Sequence, residues 1–226
     1  LWRPPQGIHP EMNDNRFAPT RRYWIASAAA LFALAGCSRI VGPGAAPQLY
    51  ILAPQLQPPP DAPAVQWALQ IALPEASQSF DTDRIALINP PTRMDYYADA
   101  AWPDRLPVLL RGLLVQAFQG SGKIGAVSPD TAALRADYQL MTTILDFSAH
   151  YAVPDTAPEI VVSLEAMLVR RHGRTLGARR RIEQSTEADA NSVDSVVLAF
   201  NRALSEALKQ IVDWTLHAAG PEASKP

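Results

Sequence analysis

The residue whose chemistry stands alone in this chain is Cys37, its only cysteine. A lone thiol cannot close an internal disulfide and is too few for a thiolate metal site, so its value lies in its own reactivity or nowhere. Its neighbours point to reactivity. Leu34, Ala35 and Gly36 come just before it, one aliphatic and two small residues ending the apolar run WIASAAALFALAG, and Arg16, Arg21 and Arg22 come earlier. Basic segment, apolar segment, small residues is the order of a secretory signal, and small residues let an extended backbone enter a protease cleft. The uncharged stretch from Tyr23 to Ser38 is shorter than the roughly 20 residues a helix needs to cross a bilayer core.

The string Leu34-Ala35-Gly36-Cys37 resembles the lipobox of a bacterial lipoprotein signal. The competing reading is a chance string at the end of an apolar helix with a buried thiol. The resemblance implies cleavage between Gly36 and Cys37, a diacylglyceryl group on the Cys37 sulfur and a further acyl chain on the freed amine. Two or more chains anchor stably, whereas one does not. This covalent lipid is the only non-protein group expected, with no separate cofactor and no metal. Ser38 stands where an aspartate would resemble an inner-membrane retention signal, which favours the outer membrane, with the domain facing the periplasm. Thr20 to Ile25 faintly resemble a twin-arginine export motif. Residues 1–20 are proline-rich without periodicity and read as disordered, with Met12 as an alternative start. The expected division is a leader and signal over 1–36, a lipidated tether over 37–47, one domain over 48–217 and a disordered tail over 218–226.

Other chemistries find little support. Gly120, Ser121, Gly122 and Lys123 invite a phosphate-loop reading, but that pattern wants Gly at 117, where Ala stands, and Ser or Thr at 124, where Ile stands. His150, His172 and His217 have no metal-ligand spacing. No GxSxG is present, and no nucleophile is seen beside a base. Asp81 and Asp83 read as turn and cap residues. Removing residues 1–36 takes away four arginines and two acids, leaving 16 basic against 20 acidic residues, a net charge of about −4. Nucleic acid is therefore not an expected partner, since phosphate binding leans on concentrated positive charge. The chain is read as not an enzyme.

Any site in the mature chain must be positioned by strands and two helices. Gln48–Leu52, Val65–Leu73, Ile85–Asn89, Arg93–Ala98 and Ile124–Val127 read as short strands, with Pro90 and Pro91 bending the chain between the third and fourth. Tyr138–Tyr151 and Ile160–Val169 read as long antiparallel strands, and His172 and Gly173 turn into a third over Thr175–Glu187. Asp104 is expected to cap a helix to about Gln119, with Leu106, Leu109, Leu110, Leu113, Leu114, Ala117 and Phe118 as its apolar stripe. A longer helix runs from about Ser192 to Leu216, with Val193, Val196, Val197, Phe200, Leu204, Leu208, Ile211 and Thr215 on one face. The predicted class is α+β: an antiparallel or mixed sheet with two main helices on one face, in a single domain.

Two exposed-surface candidates remain. Arg170, Arg171, Arg174, Arg179, Arg180 and Arg181 crowd one hairpin. Arg179, Arg180 and Arg181 read either as a docking surface for lipid phosphates or an acidic partner, or, preferably, as a solvated edge whose charge blocks aggregation. Tyr96, Tyr97 and Trp102 concentrate before the first helix. They read as packing onto that helix, or as an exposed rim for a partner or lipid tail.

From Cys37 onward the chain resembles the ABC-type transport auxiliary lipoproteins, a family that includes paraquat-inducible protein C-like lipoproteins. The likeness rests on LYIL, RIALINPPTRMDYYADAAWPDRLPVLL, QGSGKIGAV, DYQLMTTILDF and AFNRAL with Trp214. It implies a non-enzymatic outer-membrane partner of an ABC transporter and its MCE-domain protein, moving lipids or other hydrophobic compounds between membranes. It also implies a homo-oligomer, since some relatives form rings. The rival is a standalone periplasmic carrier or envelope-assembly lipoprotein.

Overall fold

The computed structural model describes residues 46–89, 92–132, 135–171 and 176–219. In chain order the elements are β1 (Gln48–Leu49), β2 (Val65–Ile71), β3 (Glu75–Ala76), β4 (Arg84–Asn89), β5 (Arg93–Ala101), α1 (Leu106–Ser121), β6 (Ile124–Pro129), β7 (Tyr138–His150), β8 (Glu159–Arg170), β9 (Leu176–Glu187) and α2 (Val193–Ala218). Cys37, Gly36, the leader, most of the tether, Pro90, Pro91, the His172–Gly173 turn and residues 220–226 lie outside the described residues.

The axis of the sheet is β7. Its length and its β-branched and aromatic content suit a strand that packs on both edges. One edge pairs antiparallel with β8 from Tyr138 opposite Arg170 to His150 opposite Glu159, and β8 pairs antiparallel with β9. The other edge takes three parallel strands in succession: β2 at Tyr138–Leu140, β3 at Thr143–Ile144 and β4 at Ser148–His150. β6 extends β2, while β5 and then β1 extend β4. The result is a mixed nine-stranded sheet that forks beyond β7.

One face of the sheet carries the core. Along β8, Ile160, Val162, Leu164, Ala166 and Leu168 are buried at every second position, as a half-covered strand requires. They lie under α2, which packs on β8 and β9 and touches α1, itself packed on β6. Val196, Phe200, Leu204, Leu208 and Ile211 bury completely at helical spacing along α2. Each such side chain stabilises by roughly 1.5–3 kcal/mol relative to exposure. Ser192 caps α2, its Oγ accepting the Ser195 N–H at 3.3 Å. The α+β class with a mixed sheet and two helices in one domain is the observed architecture.

Local differences have identifiable causes. Asp104 does not cap α1: its Oδ1 accepts the Arg105 N–H, and the Leu106 N–H is satisfied by the Thr82 carbonyl at 3.0 Å. Pro107 is tolerated because the first turn asks for no intrahelical N–H. The helix stops at Gly122, whose φ of 63° is the left-handed conformation glycine adopts without strain. β5 continues to Ala101 rather than ending at Ala98, and β1 stops at Leu49. Beyond β1 the chain leaves the sheet and runs extended along α2, with Leu52 turned into the core and Ile51 and Ala53 outward. The Ala53 N–H donates to Asn201 Oδ1 at 2.8 Å and the Gln55 N–H to Ser205 Oγ at 2.9 Å. This strap, residues 50–57, borrows side chains of α2 where a sheet partner is missing.

The least regular point of β7 is a bulge at Leu145, between the Ile144–Leu164 and Asp146–Ser163 pairs. An extra residue reverses the parity of the strand. Thr142 and Ile144 face the core before the bulge, and Phe147 and Ala149 do so after it. Asp146, Ser148 and His150 therefore share the side of the sheet away from the helices.

Candidate functional site

The aromatic group before α1 is tied inward. Tyr96 and Tyr97 are neighbours on β5 and so point to opposite faces. Tyr96 donates its hydroxyl to the Ser79 carbonyl at 3.1 Å, and the Arg84 guanidinium lies 3.8 Å from its ring centre. Tyr97 meets the Tyr151 hydroxyl at 2.8 Å, and Tyr151 in turn donates to Asn191 Oδ1 at 2.8 Å. With the Tyr151 proton committed to Asn191, Tyr97 is the donor of its pair. Burial, and then the bond to Tyr151, push the Tyr97 phenol well above its ordinary range.

Trp102 corrects the rim reading outright. Its side chain is 1% exposed and stands edge-on to Phe147 and Phe200 at 6.3 and 5.6 Å, while those two rings stack at 4.7 Å. The cause is the longer β5, which carries the tryptophan past the sheet edge and under α2. The Trp102 N–H closes the join by donating to the Asp83 carbonyl at 2.7 Å. Trp102 is packed inward, but against Phe147 of β7 and Phe200 of α2 rather than as a loop laid onto the first helix, and Tyr96 and Tyr97 are half-buried with their hydroxyls in use.

The arginines do not converge. Arg174 lies outside the described residues. Arg170 donates to the Tyr138 hydroxyl at 3.0 Å, and Arg171 is bonded to Gln70. Arg179 faces Glu165 across the strands at 3.5 Å, and Arg181 pairs with Glu183 at 2.8 Å, all exposed or half-exposed. Arg180 alternates to the other face, in line with Ile182. Among the described residues β9 is paired only with β8, so these charges line a sheet edge. That is where charge discourages pairing with other chains.

Beside the bulge is a cluster that contradicts the expectation of no nucleophile next to a base. Asp146 and Ser148 are hydrogen-bonded, and His150 Nε2 lies 3.1 Å from Ser148 Oγ and 2.9 Å from Asp146 Oδ2. A two-residue period, Asp-x-Ser-x-His on one strand, was its sequence signal. The geometry is not that of a catalytic triad, in which the carboxylate orients the ring nitrogen opposite the one facing the serine. Here one nitrogen meets both groups, and Ser148 is 0% exposed. The cluster ties polar groups together on the strand beside a surface cavity of about 470 Å³ lined by His150, Glu159 and Glu187 among others. Among the described residues no group of acids, histidines and cysteines is placed to hold a metal ion, and no helix is long and apolar enough to cross a membrane.

A second surface feature was not anticipated. The strap and the outer side of α2 border a groove of about 600 Å³, with Ala53 and Gln55 on one side and Leu198, Arg202 and Lys209 on the other. Nothing in the composition of residues 50–57 marks them as a partner for a helix, because the bonds to Asn201 and Ser205 join positions about 150 apart.

Comparisons with known proteins agree with this architecture. A Bradyrhizobium diazoefficiens protein is 28% identical over 187 residues, 82% of this chain and 50% of that protein. The chain thus spans about half the length of this curated relative. The crystal structure of a Xanthomonas campestris protein is similar at a TM-score of 0.72 and 28% identity, covering 76% of this chain and 96% of that one. A further crystal structure, 15% identical, covers 73% of this chain and 97% of its own at a TM-score of 0.57, and shares the fold alone. The model of the family described as the ABC-type transport auxiliary lipoprotein component matches residues 50–212. That match takes in the strap, strands β2 to β9, α1 and most of α2, and the chain belongs to this family of auxiliary lipoproteins.

Proposed function

We propose that this protein is an outer-membrane-anchored periplasmic lipoprotein that serves, without catalysing a reaction, as an auxiliary component of an ABC transporter working with an MCE-domain protein. Its cargo in this reading is lipid or another hydrophobic compound moved between the membranes. The observation that carries the reading is the match of residues 50–212 to the transport-auxiliary family, a short way after a Leu34–Cys37 string that resembles a lipobox. The acyl chains on Cys37 fix the location and the domain selects the partner. The burial of Trp102 supports docking through some surface other than an exposed aromatic loop at this position.

The test is affinity capture of the acylated protein from native membranes, followed by mass spectrometry. Co-purification of an ATPase, its permease and an MCE-domain protein is expected. Capture of envelope proteins with no transporter subunit, reproduced after crosslinking, overturns the transporter assignment. Anchoring is tested separately by Cys37→Ala exported with a cleavable signal: transport in a deletion strain is expected to be lost, and full restoration by this soluble form overturns the need for an anchor.

A further inference from the structure

We infer that Leu49, Ile51 and Leu198 form the face on which the domain rests against the phospholipid bilayer that holds Cys37. The inference rests on the lipid-anchor reading and adds the surface that meets the membrane. These three side chains are 60%, 69% and 57% exposed, the most exposed large hydrophobics among the described residues together with Val153. Single exposed leucines are ordinary, but a group of them marks a contact surface.

The strap gathers them. Leu52 is buried, and Tyr50 is turned toward Asp194, whose charge raises the phenol pKa after burial does. Alternation in the extended chain then leaves Leu49 and Ile51 outward. Asn201, which holds the Ala53 N–H, lies one turn along α2 from Leu198, and Ala53 and Leu198 border the same groove. The first residues of the domain and the second turn of α2 thus present one apolar corner.

The chain itself supplies the occupant. Ten residues separate Cys37 from Gln48, and fully extended they reach roughly 35 Å at most. Leu49 and Ile51 are therefore the large hydrophobics of the domain nearest in sequence to the anchor. The basic groups beside them are matched, Arg202 with Asp189 at 3.0 Å and Lys209 with Glu206 at 3.7 Å, and the acidic Asp194 faces Tyr50. The contact is apolar, and its strength is set by buried aliphatic area rather than by anionic headgroups.

The experiment uses the acylated full chain in vesicles of phosphatidylethanolamine and phosphatidylglycerol. Because the lipid blocks the Cys37 sulfur, Leu49→Cys, Ile51→Cys, Leu198→Cys and the control Leu145→Cys each add the one reactive thiol, which receives an environment-sensitive fluorophore. Probes at 49, 51 and 198 are expected to shift to the blue and to lose about half or more of their quenching by aqueous iodide, as groups entering the interface do. The probe at 145 stays fully quenched, and raising the salt changes none of this. Protein that floats with vesicles while all four probes are quenched alike overturns the face and leaves the anchor standing. Protection lost in high salt, or present in detergent and dependent on protein concentration, assigns the corner to charge or to a second copy and overturns the inference. Protein that neither floats nor carries lipid by mass overturns both readings.

Discussion

Trp102 stands edge-on to Phe200, with ring centroids 5.6 Å apart and planes at 85°, and this contact fastens the end of β5 to the N-terminal third of α2. Trp102→Ala opens a cavity among Phe147, Phe200 and the helix. The expected cost is about 3–5 kcal/mol, read as a drop in the urea midpoint with little change in slope. A loss below about 1 kcal/mol would place the indole at a yielding surface.

Tyr97 links pH to stability. Its phenol titrates above the ordinary value of 10.0 because burial and the Tyr151 bond favour the neutral form. The stability it contributes is fully present below pH 10 and is lost as the pH rises beyond that toward the folded value, since only the unfolded chain then releases the proton. Ultraviolet titration should show tyrosine ionisation extending above the ordinary phenol range, and Tyr97→Phe should remove the latest part of it. The same variant leaves Tyr151 without its donor, at a cost of about 0.5–1.5 kcal/mol.

Replacing Arg179, Arg180 and Arg181 with serine tests the charged edge of β9. Exposed pairs such as Arg181 with Glu183 contribute about 0–1 kcal/mol each, so the melting temperature should move little, and partner affinity and vesicle binding should be unchanged. Aggregation at high protein concentration should rise, because an uncharged edge strand can pair with another. Lost partner affinity without aggregation assigns these arginines to docking.

Deleting Leu145 should be tolerated. The bulge is one residue in excess, so its removal leaves Phe147 and Ala149 facing the core, at a cost within the usual 0.5–3 kcal/mol of a single change. Deleting Ser148 instead turns Ala149 outward and breaks the pairing of β7 with Ala86–Ile88. Circular dichroism of the two variants should separate a folded protein from an unfolded one.

That bulge also marks where sequence reasoning reaches its limit. The stripes of α1 and α2 and the alternation Ile160, Val162, Leu164 along β8 are local periodicities, so both helices and the three-strand meander were legible. Ile144 and Leu145 are both apolar, and a one-residue parity change between them looks like an ordinary β-rich run. The group of Asp146, Ser148 and His150 was hidden for the same reason. The docking of β2, β3 and β4 along one edge of β7 depends on pairings far apart in sequence, which no local pattern encodes. Trp102 was visible as an aromatic, but its burial followed from three further residues of β5.

The strap gives the domain a mechanical property. A force drawn along the chain from the side of Ala46 meets β1 first, held by two residue pairs with β5 and the Tyr50 N–H bond to the Ala101 carbonyl. It then meets the bonds of Ala53 and Gln55 to α2, and only afterwards Val65 at the start of β2. These contacts lie in series, so they yield one at a time and before the central strands are strained. Peeling residues 48–64 lengthens the connection by up to roughly 55 Å at about 3.3 Å per residue. The reach of a tethered domain under tension would therefore be adjustable, while strands β2 to β9 stay paired.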